Sequence, residues 1–226
     1  MIYPNIRSAV FLKRPNRFIA EIEVDGKPEI CHVKNTGRCR ELLIPDAKVQ
    51  IQEFASLSRK TKYDLIAVWK GDRLINIDSN APNKVFAEWV RTSGFFQNIT
   101  LLKPEQRYGS SRFDFYLEAD GQCVFVEVKG VTLEEQGVVR FPDAPTERGV
   151  KHLHELAACV EAGFAAYVVF VIQMKGVDYM EPNWKMDPAF GEALRSAKEK
   201  GVQVLAVDCH VTENSMRIAD FVHVHI

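Results

Sequence analysis

The chain has 226 residues, 46% of them hydrophobic, and a formal net charge of −1. That length allows one large or two modest domains with a normal core, and no low-complexity run points to disorder. Five cysteines without Cys-x-x-Cys spacing argue for reduced thiols and against zinc.

The front of the chain reads as short strands. Ser8–Leu12, Arg17–Val24 and Glu29–Val33 are rich in β-branched and aromatic residues, with Asp25-Gly26 as the turn between the last two. Lys48–Phe54, Asp64–Trp69 and Arg73–Ile77 continue the pattern around a second turn at Gly71-Asp72. Six short strands in so few residues predict a small barrel. The OB-fold is the first candidate, and an SH3-like barrel shares the pattern. Strand grammar gives way to mixed α/β near residue 80, so the expected domains are 1–80 and 81–226.

Asn80 is placed to cap a first helix, with Pro82 in its opening turn and Val85, Phe86, Trp89 and Val90 as its apolar stripe. Gly94 is the expected stop. Two alternating runs, Arg112–Glu118 and Cys123–Lys129, then flank Asp120-Gly121, the strongest short-range signal for a hairpin. A helix is expected from about Thr146 to Gly163, carried by Val150, Leu153, Ala157 and Val160. Phe164–Ile172 is continuously apolar, as a strand covered on both faces should be, and is too short to cross a bilayer. Pro188–Lys200 reads as another helix, Val202–Asp208 as a buried strand and Ile218–His225 as an edge strand. Helix, hairpin, helix, strand, helix, strand implies a mixed sheet with helices on both sides.

The hairpin carries the chemistry. With Ala119 facing Gln122, Asp114 falls directly across from Glu127, and Lys129 points to the same face. The opposite face reads Phe113, Phe115, Leu117 against Val124, Val126, Val128. Adjacent carboxylates repel unless a cation lies between them, and their oxygens suit Mg²⁺ or Mn²⁺. A lysine beside them can orient an attacking water, the equipment of metal-assisted phosphodiester hydrolysis. A cross-strand ion cluster on a solvated face would use the same residues.

An Asp, a hairpin turn and Glu-x-Lys resemble the PD-(D/E)XK nuclease superfamily, although Phe113 stands where a Pro is usual. Further blocks resemble a narrower group, the sugar fermentation stimulation protein A (SfsA) family. They are Asn35-Thr36-Gly37-Arg38, Asn80-Ala81-Pro82-Asn83, Tyr108–Phe115, Glu127–Leu133, Phe141–Gly149 and Lys151-His152-Leu153. The resemblance implies an α+β two-domain protein: an OB-like barrel, then a mixed α/β PD-(D/E)XK nuclease-like domain. It also implies DNA binding, and it leaves open whether DNA is cut. Asp114, Glu127 and Lys129 become the expected catalytic set. Asp114, Glu127, the Val128 carbonyl and Glu88 become the expected metal ligands; for Glu88, a surface pair with Lys84 is the alternative.

Arg148, Lys151, His152 and Glu155 recur at helical spacing near a helix start, where phosphate binds well. With the resemblance, Arg148, Lys151 and His152 are expected at phosphate, and the Phe141–Pro145 loop is expected to aim their helix. Residues 1–80 carry 14 Lys/Arg against 10 Asp/Glu, while 81–226 carry 15 against 20. A basic front suits phosphate and an acidic back suits cations. Its clusters are Lys13, Arg14 and Arg17; Lys34, Arg38 and Arg40; and Arg59, Lys60 and Lys62. They are expected to track a DNA backbone with little sequence preference. The expected protein is cytoplasmic, without a membrane partner or an N-terminal signal pattern. The alternative is a non-catalytic DNA-binding regulator of sugar (maltose) metabolism that keeps the nuclease fold.

Overall fold

The computed structural model describes residues 1–35, 37–55 and 59–226, so Thr36 of the first motif block lies outside the described residues. Strands β1 (Ile6–Asn16), β2 (Ile19–Val24), β3 (Lys27–Val33), β4 (Lys48–Glu53), β5 (Tyr63–Lys70) and β6 (Arg73–Asn76) form one sheet, ordered β3-β2-β1-β4-β5-β6. A parallel β3–β5 pairing joins its ends, closing five strands into the OB barrel with β6 attached outside. Alternation in β2 sends Ala20, Ile22 and Val24 into the barrel core. Asp25 (φ 51°) and Gly26 (φ 74°) are both left-handed, the geometry a two-residue hairpin turn requires.

The second unit begins with α1 (Ala81–Thr92), followed by β7 (Leu101–Tyr108), β8 (Ser111–Ala119), β9 (Gln122–Val131), β10 (Glu134–Glu135) and β11 (Val138–Phe141). It continues with α2 (Glu147–Glu161), β12 (Ala165–Ile172), β13 (Tyr179–Pro182), α3 (Pro188–Glu199), β14 (Gln203–Thr212) and β15 (Ser215–Val224). Their nine-stranded sheet runs β10-β11-β13-β15-β14-β12-β9-β8-β7, with β9, β12 and β14 parallel at its centre. In β12, Val168, Phe170 and Ile172 pack toward α2 and α3, while Val169 and Val171 pack toward α1. The apolar run is therefore covered on both faces.

Two expectations need correction. Ile218–His225 is not an edge strand: β15 lies between β14 and β13, because the short β10, β11 and β13 extend the sheet past it. Asn80 makes no side-chain cap; its own N–H is taken by Asp78 Oδ1 at 3.0 Å.

Buried polar groups tie the two units together. Asp78, fully buried, accepts from Tyr3 Oη and Lys34 Nζ, both at 3.2 Å. Gln173, just beyond β12, donates to Asn76 Oδ1 at 2.9 Å and to the Asp78 carbonyl at 3.2 Å. Among the described residues, no helix is long and apolar enough to cross a membrane.

Candidate metal centre

The Asp120-Gly121 turn sets the hairpin register as expected, with φ of 52° and 75° and Ala119 opposite Gln122. The β8–β9 ladder runs from there to Phe115↔Val126 and then stops. Asp114 and Glu127 are consequently not a ladder pair, which corrects the expected face-to-face placement. Beyond Phe115 strand β8 keeps β7 as its partner, while β9 keeps β12. Phe113 marks the departure, packing with Phe125 and His152 on the α2 side, whereas Phe115 and Leu117 pack on the α1 side. Period-two alternation breaks where the strands part.

Asp114 occupies the opened end. Its Oδ2 accepts the Val128 N–H at 2.8 Å, and its Oδ1 accepts from Asn83 Nδ2 of α1 at 2.8 Å. Glu127 is held from the other layer. Its Oε1 accepts from Lys129 Nζ at 2.7 Å and lies 2.5 Å from His152 Nδ1 of α2. Arg148 Nε donates to His152 Nε2 at 3.4 Å, which assigns the ring proton to Nδ1 and makes His152 a donor to Glu127. The second carboxylate oxygen, Glu127 Oε2, is buried and has no hydrogen-bond donor among the described residues.

The two carboxyls are driven apart electrostatically. Burial, and next the Glu127 charge, raise Asp114 above its ordinary value, against the Val128 N–H, Asn83 and Lys129. Burial would raise Glu127 as well, but the His152 hydrogen bond and the Lys129 ammonium outweigh it and hold Glu127 below the usual carboxylate range. An ionised buried Glu127 with one unpartnered oxygen, beside an Asp114 that resists ionising, favours an added positive charge. Oxygen donors on both residues fit a hard divalent cation. Since no third Asp, Glu, His or Cys joins them in a cluster among the described residues, water and substrate oxygens would complete the coordination, as is common for Mg²⁺.

Glu88 is not part of this centre. Its carboxylate pairs with the Met1 amine at 2.6 Å, on an exposed side of α1. The residue of α1 that does reach the site is Asn83, missed in the sequence although it stood in a motif block. Its position one residue after Pro82, in the turn facing the hairpin, was the available signal. His152 also needs correction. It is buried behind Glu127, with both ring nitrogens engaged, by Glu127 Oε1 and Arg148 Nε, so it is not presented at the surface. The stripe Arg148, Lys151, His152, Glu155 therefore straddles the edge of the core. Arg148 and Lys151 are exposed near the start of α2, which Thr146 caps by accepting the Gly149 N–H at 3.0 Å.

The barrel cations divide into two groups. Arg14 donates to four backbone carbonyls, those of Arg17, Asn35, Gly37 and Arg38, and so shapes a loop instead of facing phosphate. Lys34 bridges buried Asp64 and Asp78, and Arg59 pairs with Asp64 while stacked on Phe54; both are corrected to structural roles. Lys62 pairs with Glu53 and Lys13 with Glu21 at the exposed surface. Arg17, Arg38, Arg40 and Lys60 are exposed. The loop clamped by Arg14 docks onto the second unit, where the Arg38 N–H reaches Asp143 Oδ2 at 3.3 Å.

The family profile described as "Sugar fermentation stimulation protein RE domain" matches residues 80–215, and "SfsA N-terminal OB domain" matches 12–77. A sugar fermentation stimulation protein homolog of Desulfitobacterium hafniense (strain Y51) is 62% identical over 226 residues, covering all of this chain and 99% of the relative. One from Clostridium beijerinckii is 57% identical over 224 residues, covering 99% of each. The structure of Pyrococcus furiosus SfsA in complex with Ca²⁺ superposes with a TM-score of 0.91 at 28% identity, covering 100% of this chain and 98% of that one.

Proposed function

The chain belongs to the sugar fermentation stimulation protein family, and from that premise we propose that it is a cytoplasmic DNA-binding protein that hydrolyses phosphodiesters at a divalent-cation centre. The observation that carries this reading is the unpartnered, buried Oε2 of Glu127 beside Asp114. The Ca²⁺ complex of the archaeal relative supports a divalent cation. Five free thiols, four of them buried, suit a reducing compartment.

Asp114 and Glu127 would hold Mg²⁺ or Mn²⁺, with the Val128 carbonyl as a further oxygen. A cation there supplies Lewis-acid polarisation of a phosphate and a more acidic bound water. Asn83 and the Val128 N–H fix the Asp114 carboxylate, and His152 fixes Glu127, so neither must reorganise when charge arrives. Lys129, with its side chain 14% exposed, is placed to hold an attacking water or a phosphate oxygen when released from Glu127. Arg148 and Lys151, near the capped N-terminus of α2, would meet the DNA backbone, and exposed barrel cations would extend the track. Backbone contacts of this kind do not select sequence.

The test is incubation of duplex, nicked, branched and single-stranded DNA with Mg²⁺ or Mn²⁺. Cleavage by the wild type, lost in Asp114→Ala and Lys129→Ala while binding persists, is the expected result. Binding without cleavage of every substrate would leave the non-catalytic regulator of sugar metabolism as the better account.

A further inference from the structure

Between the barrel and the second unit runs a cleft that the metal centre does not use. Its mouth, about 640 Å³, is lined by Arg38, Arg40, Glu41, Arg140, Asp143 and Lys185, among others. Leu133, Arg140 and Asp143 also line a narrower chamber of about 130 Å³, together with Gly130 and Val131 at the end of β9, Thr132 just past it, and Asn35 and Ser79. Gly130 follows Lys129 directly, and Ser79 leads into the helix that carries Asn83. Lys129 itself does not line the chamber, since alternation turns its side chain to the other face of β9, toward Glu127.

Three charges at this mouth stand apart from the rest. Arg140 is engaged by Glu181 at 2.7 Å and Glu135 at 3.0 Å, and Asp143 accepts the Arg38 N–H. The side chains of Arg38, Arg40 and Lys185 are exposed and make no hydrogen bond or salt bridge among the described residues. Their negative neighbour Glu41 is pushed upward by burial, reinforced by Asp143 and Glu135, which weakens its opposition to an anion.

The walls are fixed. Arg14 clamps the loop on one side, and a Cβ at Gly37 would lie 2.7 Å from Asp143 Oδ2, so loop and second unit are already in close contact. The chain of Tyr3, Lys34, Asp78, Asn76 and Gln173 joins the barrel to the second unit through hydrogen bonds. A cleft of this volume accommodates a drug-sized group, about one or two nucleotides. A volume of one or two nucleotides leaves no room for both strands of a duplex.

We infer that this cleft is a path for a single strand of DNA, with Arg38, Arg40 and Lys185 on its phosphates. The inference rests on the proposed function and deepens it by naming an unpaired strand as the species that enters. A barrel joined to a charged groove is a common means of following single strands, and here the second unit supplies the other wall. Lys185 lies outside every motif block and becomes part of the binding surface only through the fold.

The experiment measures binding of a labelled single-stranded oligonucleotide and of its blunt duplex, in Ca²⁺, to the wild type and to Arg40→Glu/Lys185→Glu. The Ca²⁺-induced thermal shift serves as the check that the variant is folded. The expected result is a single-strand affinity at least about tenfold weaker in the variant, with a log–log salt slope shallower by about 1.4 for two lost phosphate contacts. Duplex affinity should change less. Wild-type affinity for the single strand in the folded variant overturns the path while leaving the proposed function standing. Equal losses on strand and duplex also overturn it, because the cations would then serve a duplex. A wild type that binds neither form overturns the proposed function and the path together. A variant that does not fold is replaced by Arg40→Gln/Lys185→Gln, read in the same way.

Discussion

Asp114 and Glu127 have the same functional group and opposite electrostatic fates, and the difference follows from their donors. Glu127 has a lysine and a histidine on one oxygen; Asp114 has only an amide and a backbone N–H. The folded Asp114 value lies above the unfolded one, so the native state holds that proton more tightly. Its stabilising contribution is complete below the ordinary aspartate value of about 3.9 and is lost as pH rises through the raised value. Asparagine cannot ionise. In chelator near neutral pH, Asp114→Asn should therefore melt above the wild type, by about 2–4 °C for each kcal/mol relieved. The gap should close on acidification to about pH 4. Thermal melts across that range check the sign, and a gap that widens in acid contradicts it. With a divalent cation at about 100 times its dissociation constant the order reverses: the wild type gains about 2.7 kcal/mol from binding and the variant does not.

At the scale of the element, the site exists because β8 leaves β9 at Phe115 while β9 stays fixed to β12. Close packing holds that opened end. A Cβ on Gly130 would lie 2.7 Å from both Gln173 Oε1 and Pro82 Cγ, so β9, the α1 start and the Gln173 segment meet where only glycine fits. Gly130→Ala should cost about 1–3 kcal/mol and displace α1, with Asn83, from Asp114. Urea unfolding together with cation affinity measures both effects; an unchanged cation affinity would show that the helix start is not coupled to the centre. The hairpin register was legible because an Asp-Gly turn leaves one solution, and the helices because their stripes and glycine stops agree. The departure of β8 was not legible. Alternation describes which way side chains point while a strand stays paired and carries no signal for where pairing ends. Strand β7 was hidden by Pro104, tolerated because β7 is a sheet edge, and β10, β11 and β13 were too short for a periodic signal. Likewise, sequence shows that Lys34 and Arg14 are basic but not that buried carboxylates and loop carbonyls already hold them.

For the whole molecule, the barrel and the mixed α/β unit are joined through polar groups that neither could leave unpaired. Asp78 is fully buried and takes donors from Tyr3, Lys34 and the Asn80 N–H. Removing it leaves Lys34 with Asp64 alone and takes the buried acceptor from Tyr3 Oη and the Asn80 N–H, which should cost about 1–3 kcal/mol for each donor left unsatisfied. Asp78→Ala is accordingly expected to convert one cooperative calorimetric transition into two, with the barrel unfolding first; a single transition at the wild-type temperature would mean that the polar chain does not couple the units. The same contacts hold barrel and second unit on either side of the cleft. Binding that depends on those cations must weaken with added salt, as counterions compete for the phosphates.

The most direct measurement is calorimetric titration of Mn²⁺ into the wild type and into Glu127→Gln, which keeps the shape of the side chain and removes its charge. We expect Mn²⁺ to bind the wild type, with affinity rising as Asp114 ionises, and binding to be lost in the variant. Equal Mn²⁺ binding by both proteins would contradict the assignment of the metal centre.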